Sequence, residues 1–162
     1  MVVHKQKRVV PAELDLGYLG FFLGLRINEL VGKKLASAGF QHVRQSHGYV
    51  IQHLIEKERM ITELARRMQV TQQAASKTVA EMVELGILES VVADDRRART
   101  IRLSQRGWES VKLARKVRSR IEARLIARTG DAYAAAKETL LTCLNELGTT
   151  ADIKSRKIRE PR

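Results

Sequence analysis

Between Ile61 and Leu88 the apolar positions repeat twice at helical spacing, with only a short break between the two runs. Ile61, Leu64, Ala65 and Met68 form the first stripe, opposed by Glu63, Arg66 and Arg67, so one face packs and the other is wet. Ala75, Val79 and Met82 form the second, which opens at Thr71, a side chain suited to accept from a free backbone N–H at a helix start. Gly86 ends it. The spacing therefore predicts two short helices joined by a tight turn at Met68-Gln69-Val70. Gln69 sits where such a turn wants a left-handed residue, normally Gly, at a cost of roughly 1 to 2 kcal/mol. Ala65 and Ala75 are small where two crossing helices must come close, and Thr71, Gln72, Gln73, Ser76 and Lys77 are left outward on the first turns of the second helix. That is a helix-turn-helix pattern, with hydrogen-bonding side chains where such a unit enters a major groove. An antiparallel helix pair in an all-α core is the other arrangement these residues allow.

The flanks extend the picture. Residues 1–12 read as a mobile basic arm. From about 14 to 38, Leu16, Leu19, Leu23, Ile27, Leu30 and Leu35 keep helical spacing, while Tyr18, Phe21, Phe22 and Leu25 broaden the stripe nearly all round. Such a helix needs burial on several sides. Its glycines, Gly17, Gly20, Gly24 and Gly32, suit close approach by another backbone, including that of a second subunit. After Gly39 a helical pattern resumes over 43–58, with Val43, His47, Val50 or Ile51, and Leu54 on one face, followed by a polar link. Beyond Gly86 the pattern becomes β-branched from Ile87 to Val92, then charged (ADDRRART), then alternating through Ile101 and Leu103. This predicts a hairpin with a charged tip, and a hairpin directly after a recognition helix defines the winged form of the motif. Arg96, Arg97 and Arg99 fall at the tip, where a planar guanidinium suits a narrow minor groove. Ser104 caps a long helix carried by Trp108, Val111, Ala114, Val117, Ile121 and Leu125, with a heavily basic opposite side. Gly130 ends that helix and Asp131 caps the next, whose stripe of Tyr133, Ala136, Leu140, Leu144 and Leu147 runs up to Gly148.

The fold class is mainly α with a small β-hairpin wing: a winged helix-turn-helix plus a helical dimerisation region. Residues 13–148 form one domain, with a DNA-binding unit at about 43–103 and dimerisation helices at about 14–38 and 104–147; residues 149–162 form a disordered basic tail. Long amphipathic helices at both ends lack an intrachain partner large enough to cover them, which predicts a homodimer.

Charge narrows the partner. The 162 residues carry 30 Lys and Arg against 18 Asp and Glu, a formal net charge of +12, so a polyanion is the leading partner. Nucleic acid and an anionic membrane are the candidates, with a purely solubilising charge as the bland alternative, and no segment is long enough to span a bilayer. The apolar run from Leu14 is preceded by Glu13 and followed by Arg26, Glu29, Lys33 and Lys34, unlike an export signal. With a single cysteine, Cys143, there is no intrachain disulfide or thiolate cluster, and a reducing cytoplasm is the natural compartment.

The segment LARRMQVTQQAASKTVAEMVELGIL followed by DDRRARTIRLSQRG resembles the MarR-type winged helix-turn-helix transcriptional regulators, over about Leu14 to Leu147. The resemblance implies a homodimer built from the first and last two helices, with the second helix of the motif in the major groove. It matches Asp95 and Arg97 to the family's Asp-x-Arg wing, Arg97 reaching the minor groove and Asp95 steadying it. Ser104 stands where the family has Thr in its Leu-Thr-x-x-Gly helix start, and Gln69 where it usually has Gly. A small aromatic or phenolic effector is also implied, in a pocket between the dimer region and the winged unit, with Tyr18, Phe22, His47 and Trp108 as candidate lining residues. The same four residues also suit a plain core.

Other chemistry has less footing. His4, His42, His47 and His53 have no Cys partner or close carboxylate to complete a metal site, and His47 and His53 are six apart, on different helix faces. Neither a cofactor loop nor a nucleophile with its base is evident, so no catalytic residue is assigned. Cys143, beside Leu144 on an apolar helix, reads as a small buried side chain rather than a redox sensor. Two function classes remain: a sequence-specific DNA-binding regulator, usually a repressor released by a ligand, and a basic architectural protein that coats nucleic acid without reading it. Gln72, Gln73 and Ser76 favour the first, since coating needs phosphates only.

Overall fold

Six helices and a three-stranded antiparallel sheet make up the computed structural model, which describes residues 9–92, 99–148 and 153. The helices are α1 (Leu16–Leu35), α2 (His47–Leu54), α3 (Ile61–Met68), α4 (Gln72–Glu84), α5 (Gln105–Thr129) and α6 (Asp131–Glu146). The strands are β1 (Arg59–Met60), β2 (Leu88–Val92) and β3 (Arg99–Leu103), in the order β1-β3-β2. The wing pairs Leu88 with Leu103 and Val92 with Arg99, which leaves its tip outside the described residues. Most of the basic arm and of the basic tail predicted at the two ends also lie outside them.

The core gathers where the periodicity placed it. Leu64, Val79, Met82, Ile87, Leu88, Ile101 and Leu103 are enclosed together with Val50 and Leu54 of α2, Val31 and Leu35 of α1, and Val111 of α5. Small-side-chain contact at the α3–α4 crossing is met by Ala65 and Ala75, both buried. Burying this apolar surface is the main term holding the winged unit together.

Several boundaries differ from the sequence pattern, each for a local reason. α1 begins two residues later than 14, because the carboxylate of Asp15 accepts from the Tyr18 N–H at 2.9 Å and fixes the start. It ends at Leu35, where a wide turn over Ala36–Phe40 carries the chain round. The helix expected over 43–58 contracts to His47–Leu54, and on its far side the chain extends so that Arg59 and Met60 pair with Ile101 and Thr100. Asp131 does not cap α6: Gly130 holds the cap position without a side-chain bond, and Asp131 stands in the first turn, where its charge still suits the helix dipole. Cys143 is half-buried on α6 rather than enclosed. No described helix is long and apolar enough to cross a membrane.

The wing is fastened to α5 at one crowded point. The Ser104 N–H donates to the Ile87 carbonyl at 3.0 Å, its hydroxyl donates to the Gly86 carbonyl at 2.5 Å, and the same oxygen accepts from the Gly107 N–H at 3.0 Å. A Cβ at Gly107 would stand 2.2 Å from the Ile87 carbonyl oxygen and 3.1 Å from Leu103 Cδ2. Only glycine fits there without moving backbone. Gly107→Ala is therefore expected to destabilise the fold by at least the roughly 1 to 3 kcal/mol typical of overpacking. Urea denaturation of the two proteins measures it, and an unchanged midpoint would show that the backbone yields freely.

Candidate nucleic-acid interface

α3 ends on a left-handed residue, as the spacing required. Gln69 has φ 49° and ψ 43°; its N–H donates to the Arg66 carbonyl at 3.1 Å and the Val70 N–H to the Ala65 carbonyl at 3.0 Å. This double bond pattern satisfies the last carbonyls of α3 despite the side chain. Two residues later the Thr71 hydroxyl accepts from the Ala74 N–H at 3.1 Å and starts α4. At the other end Gly86, with φ 69°, closes α4 as its N–H reaches the Val83 carbonyl and the Ile87 N–H the Met82 carbonyl.

With Ala75, Val79 and Met82 buried, the first turns of α4 turn Thr71, Gln72, Gln73 and Lys77 to solvent. Ser76 is half-buried at the edge of this surface. The first turn holds no acidic residue, so the partial positive charge of the helix start is uncompensated and faces outward with the amides. Arg99 is exposed at the first residue of β3, the wing strand that follows the tip. Arg96, Arg97 and the supporting Asp95 lie outside the described residues.

A polar junction behind α4 was not legible in the sequence. His47 is fully buried, and its Nδ1 accepts from the Arg44 N–H at 3.2 Å. Its Nε2 lies 3.2 Å from Arg44 Nη2 and 3.5 Å from Glu81 Oε1. Arg44 in turn donates to Glu81 Oε2 at 2.5 Å, tying the segment before α2 to the last turn of α4. Residues 37 apart in the chain meet here, and no local periodicity marks such a pairing.

The four candidate pocket residues are not brought together. Tyr18 and Phe22 stack on α1 with ring centroids 6.4 Å apart and remain more than half exposed, His47 is in the core behind α4, and Trp108 packs near Leu54 and Ile55. A cleft of about 270 Å³ opens instead between α1, the segment leading into α2, and α5. Val31, Leu35, Ile51 and Val111 form its apolar wall, with Arg44, Arg115 and Arg118 on its lining. Arg115 and Arg118 lie three apart on α5, a shared face that the sequence offers, but their place beside α1 is not. Arg118 is held by Asn28 Oδ1 at 2.5 Å across 90 residues of chain.

Burial of His47 favours its neutral form and lowers its pKa below the ordinary 6.5, against the pull of Glu81 and with a smaller contribution from Arg44. The unfolded chain thus takes up this proton first, so the stability gained from a neutral His47 is complete above about pH 6.5 and is lost as the pH falls through the folded-state value. His47→Gln is expected to flatten the decline of thermal midpoint between pH 7.5 and 5.5. Parallel wild-type and variant curves would place the pH response elsewhere.

Comparison with known proteins agrees with this geometry. Residues 43–98 match the MarR family. Among solved structures, the fold is similar to MepR, a transcription regulator of the Staphylococcus aureus multidrug efflux pump MepA, with a TM-score of 0.65 at 16% identity over 83% of this chain and 99% of that one. A mutant of S. aureus MepR bound to an oligodeoxyribonucleotide gives 0.61 at 17% identity, covering 83% of this chain and 99% of that one. YusO from Bacillus subtilis gives 0.63 at 17% identity, covering 82% and 93%. No curated protein matches the sequence. At these identities the structures show a shared fold, and the family match falls on the helix-turn-helix and wing. The chain carries the winged helix-turn-helix unit of the MarR family, in residues 43–98.

Proposed function

We propose that this protein is a transcriptional regulator that binds double-stranded DNA as a homodimer and reads its site through α4, acting in the cytoplasm as a repressor that a small ligand releases. The observation that carries the reading is the start of α4: a capped, acid-free helix end presenting Thr71, Gln72, Gln73 and Lys77 to solvent, with Ser76 at the edge. Gln side chains make paired hydrogen bonds to adenine edges, and Lys77 suits phosphate. Arg99, with Arg96 and Arg97 of the same wing, supplies the minor-groove and backbone contacts, Arg97 being steadied by Asp95. In MepR a DNA-bound form is known, and that precedent supports carrying the partner across.

The dimer rests on uncovered apolar surface. Phe21, Phe22 and Leu25 of α1 and Leu141 of α6, with Leu147 just beyond it, are exposed, and α6 buries none of its residues fully. A Cβ added at Gly20 or Gly24 would meet nothing within 4 Å in the same chain, so the surface beside these two glycines is open to another copy. Sedimentation equilibrium at micromolar concentration should give a dimer, and a monomer there would remove this part of the reading.

The ligand would occupy the α1–α5 cleft rather than the predicted aromatic set. An apolar wall with arginines on the lining suits a small aromatic or phenolic anion. The precedent is that MepR is known bound to ethidium bromide, although that ligand is a cation.

Selection of binding sites from a random duplex pool, followed by titration, tests the division of labour. Gln73→Ala should cost about 1 to 3 kcal/mol on the selected site and little on scrambled DNA. Arg99→Ala should weaken both and make the dependence of log affinity on log salt shallower by about one unit for each lost phosphate contact. A pool that yields no enriched sequence would favour the architectural reading, for which the net charge of +12 is the supporting observation.

A further inference from the structure

We infer that Arg44 is a positioning residue for α4 and the link through which the cleft acts on it. Paired with Glu81, its guanidinium holds the last turn of α4; an organic carboxylate in the α1–α5 cleft weakens DNA binding by taking that guanidinium away. The inference rests on the reading of α4 as the DNA-binding helix and of the cleft as the ligand site.

The end of α4 needs a cation from elsewhere. Its last turn carries Glu81 and Glu84 and no basic residue, so two negative charges sit at the negative end of the helix dipole. Among the described residues, the basic groups within ion-pair distance of Glu81 are Arg44 Nη2 at 2.5 Å and His47 Nε2 at 3.5 Å. Burial favours the neutral form of His47, which leaves Arg44 as the charge that offsets this end. Withdrawing Arg44 leaves the last turn uncompensated, on the same helix whose first turns present Gln72, Gln73 and Lys77 to solvent.

The cleft has the opposite imbalance. Arg44, Arg115 and Arg118 are on its lining and no acidic residue is. Arg118 is held by Asn28, so Arg44 and Arg115 are the cations left to meet an anion. Glu81 stands outside the lining, so Arg44 has one carboxylate on α4 and room for another in the cleft. Either two-bond fork that a guanidinium offers a carboxylate includes Nη2, the nitrogen now given to Glu81. The two partners therefore compete. Exchange is cheap, because the side chains of Arg44 and Glu81 are 59% and 36% exposed and such a pair contributes little to stability. A fully buried pair would resist it.

The test is anisotropy titration of the selected duplex with the full chain, as wild type, as Arg44→Glu, and as the exchanged pair Arg44→Glu with Glu81→Arg. Arg44→Glu should weaken binding about 5-fold or more, the lower end of typical coupling between sites. Its slope of log affinity against log salt should not change, whereas a lost phosphate contact would make it shallower by about one unit. The exchanged pair restores an ion pair at the same place and should recover most of the affinity. Benzoate should weaken wild-type binding about 5-fold or more and neutral benzamide should not. Neither should affect the exchanged pair, whose cleft presents a carboxylate in place of Arg44. Unaltered affinity in Arg44→Glu, a shallower slope, or no recovery in the exchanged pair overturns the positioning role. Amide resonances of Gly48 and Ile51 report benzoate in the cleft independently of DNA. Benzoate that shifts them without weakening DNA binding, or that weakens the exchanged pair equally, overturns the link; benzoate that leaves them unshifted overturns it together with the cleft as an anion site. Failure of DNA reading by α4 shows separately, as a Gln73→Ala variant that binds the selected duplex like wild type.

Discussion

The attachment of Ser104 and Gly107 to the backbone at Gly86 and Ile87 is the constraint on which the arrangement depends. Through one serine side chain and two backbone groups it joins the end of α4, the start of β2, the end of β3 and the first turn of α5. The long helix therefore cannot tilt without moving the wing, and the wing cannot move without loading the end of α4. In the resembling family this is the Leu-Thr-x-x-Gly helix start, and the geometry explains one polar and one steric requirement here: a hydroxyl to bridge the carbonyls and the N–H, and a glycine because the Ile87 carbonyl fills the place of a Cβ.

A second tie runs behind α4 through Arg44, His47 and Glu81. Arg44 both lines the α1–α5 cleft and pairs with Glu81, so the cleft and the C-terminal part of α4 share a side chain. Together the two ties hold the C-terminal half of α4, while its first turns, which carry Gln72 and Gln73, are held by the Thr71 cap and by Ala75 packing against α3.

What the sequence made legible were features whose cause is local. The stripe Leu64, Ala65, Ala75, Val79, Met82 is buried because helical spacing and side-chain size are properties of a short window, and the left-handed Gln69 followed from where the turn had to fall. The Ser104 cap of α5 was likewise readable. Strand β1 was not, because a two-residue pairing leaves no alternation and its partner lies about 40 residues away. The aromatic set Tyr18, Phe22, His47 and Trp108 failed as one group because helical periodicity says which face a residue takes on its own helix, not which other helix that face meets. The arginines lining the cleft depend on that same missing information. Asp131 is a different case: the residue type suited a cap, but the chain placed it one position inside the helix, behind Gly130.

Charge follows a division that the composition alone hides. Among the described residues Glu29, Glu63, Glu81, Glu89 and Glu122 each face a cation: Arg26 and Lys33, Arg59 and Arg67, Arg44, Arg102, and Lys137. Most of these pairs are exposed and contribute little to stability. Among the described residues, the exposed cations left without an ion pair include Lys34, Lys57, Arg66, Lys77 and Arg99, with several more along α5. At physiological ionic strength charges are screened beyond about 8 Å, so net charge cannot act as a diffuse attraction at contact range. Only cations that a phosphate can approach within that distance release counterions and contribute to affinity. The positions of the unpaired cations, rather than the total of +12, therefore decide how this protein meets a polyanion.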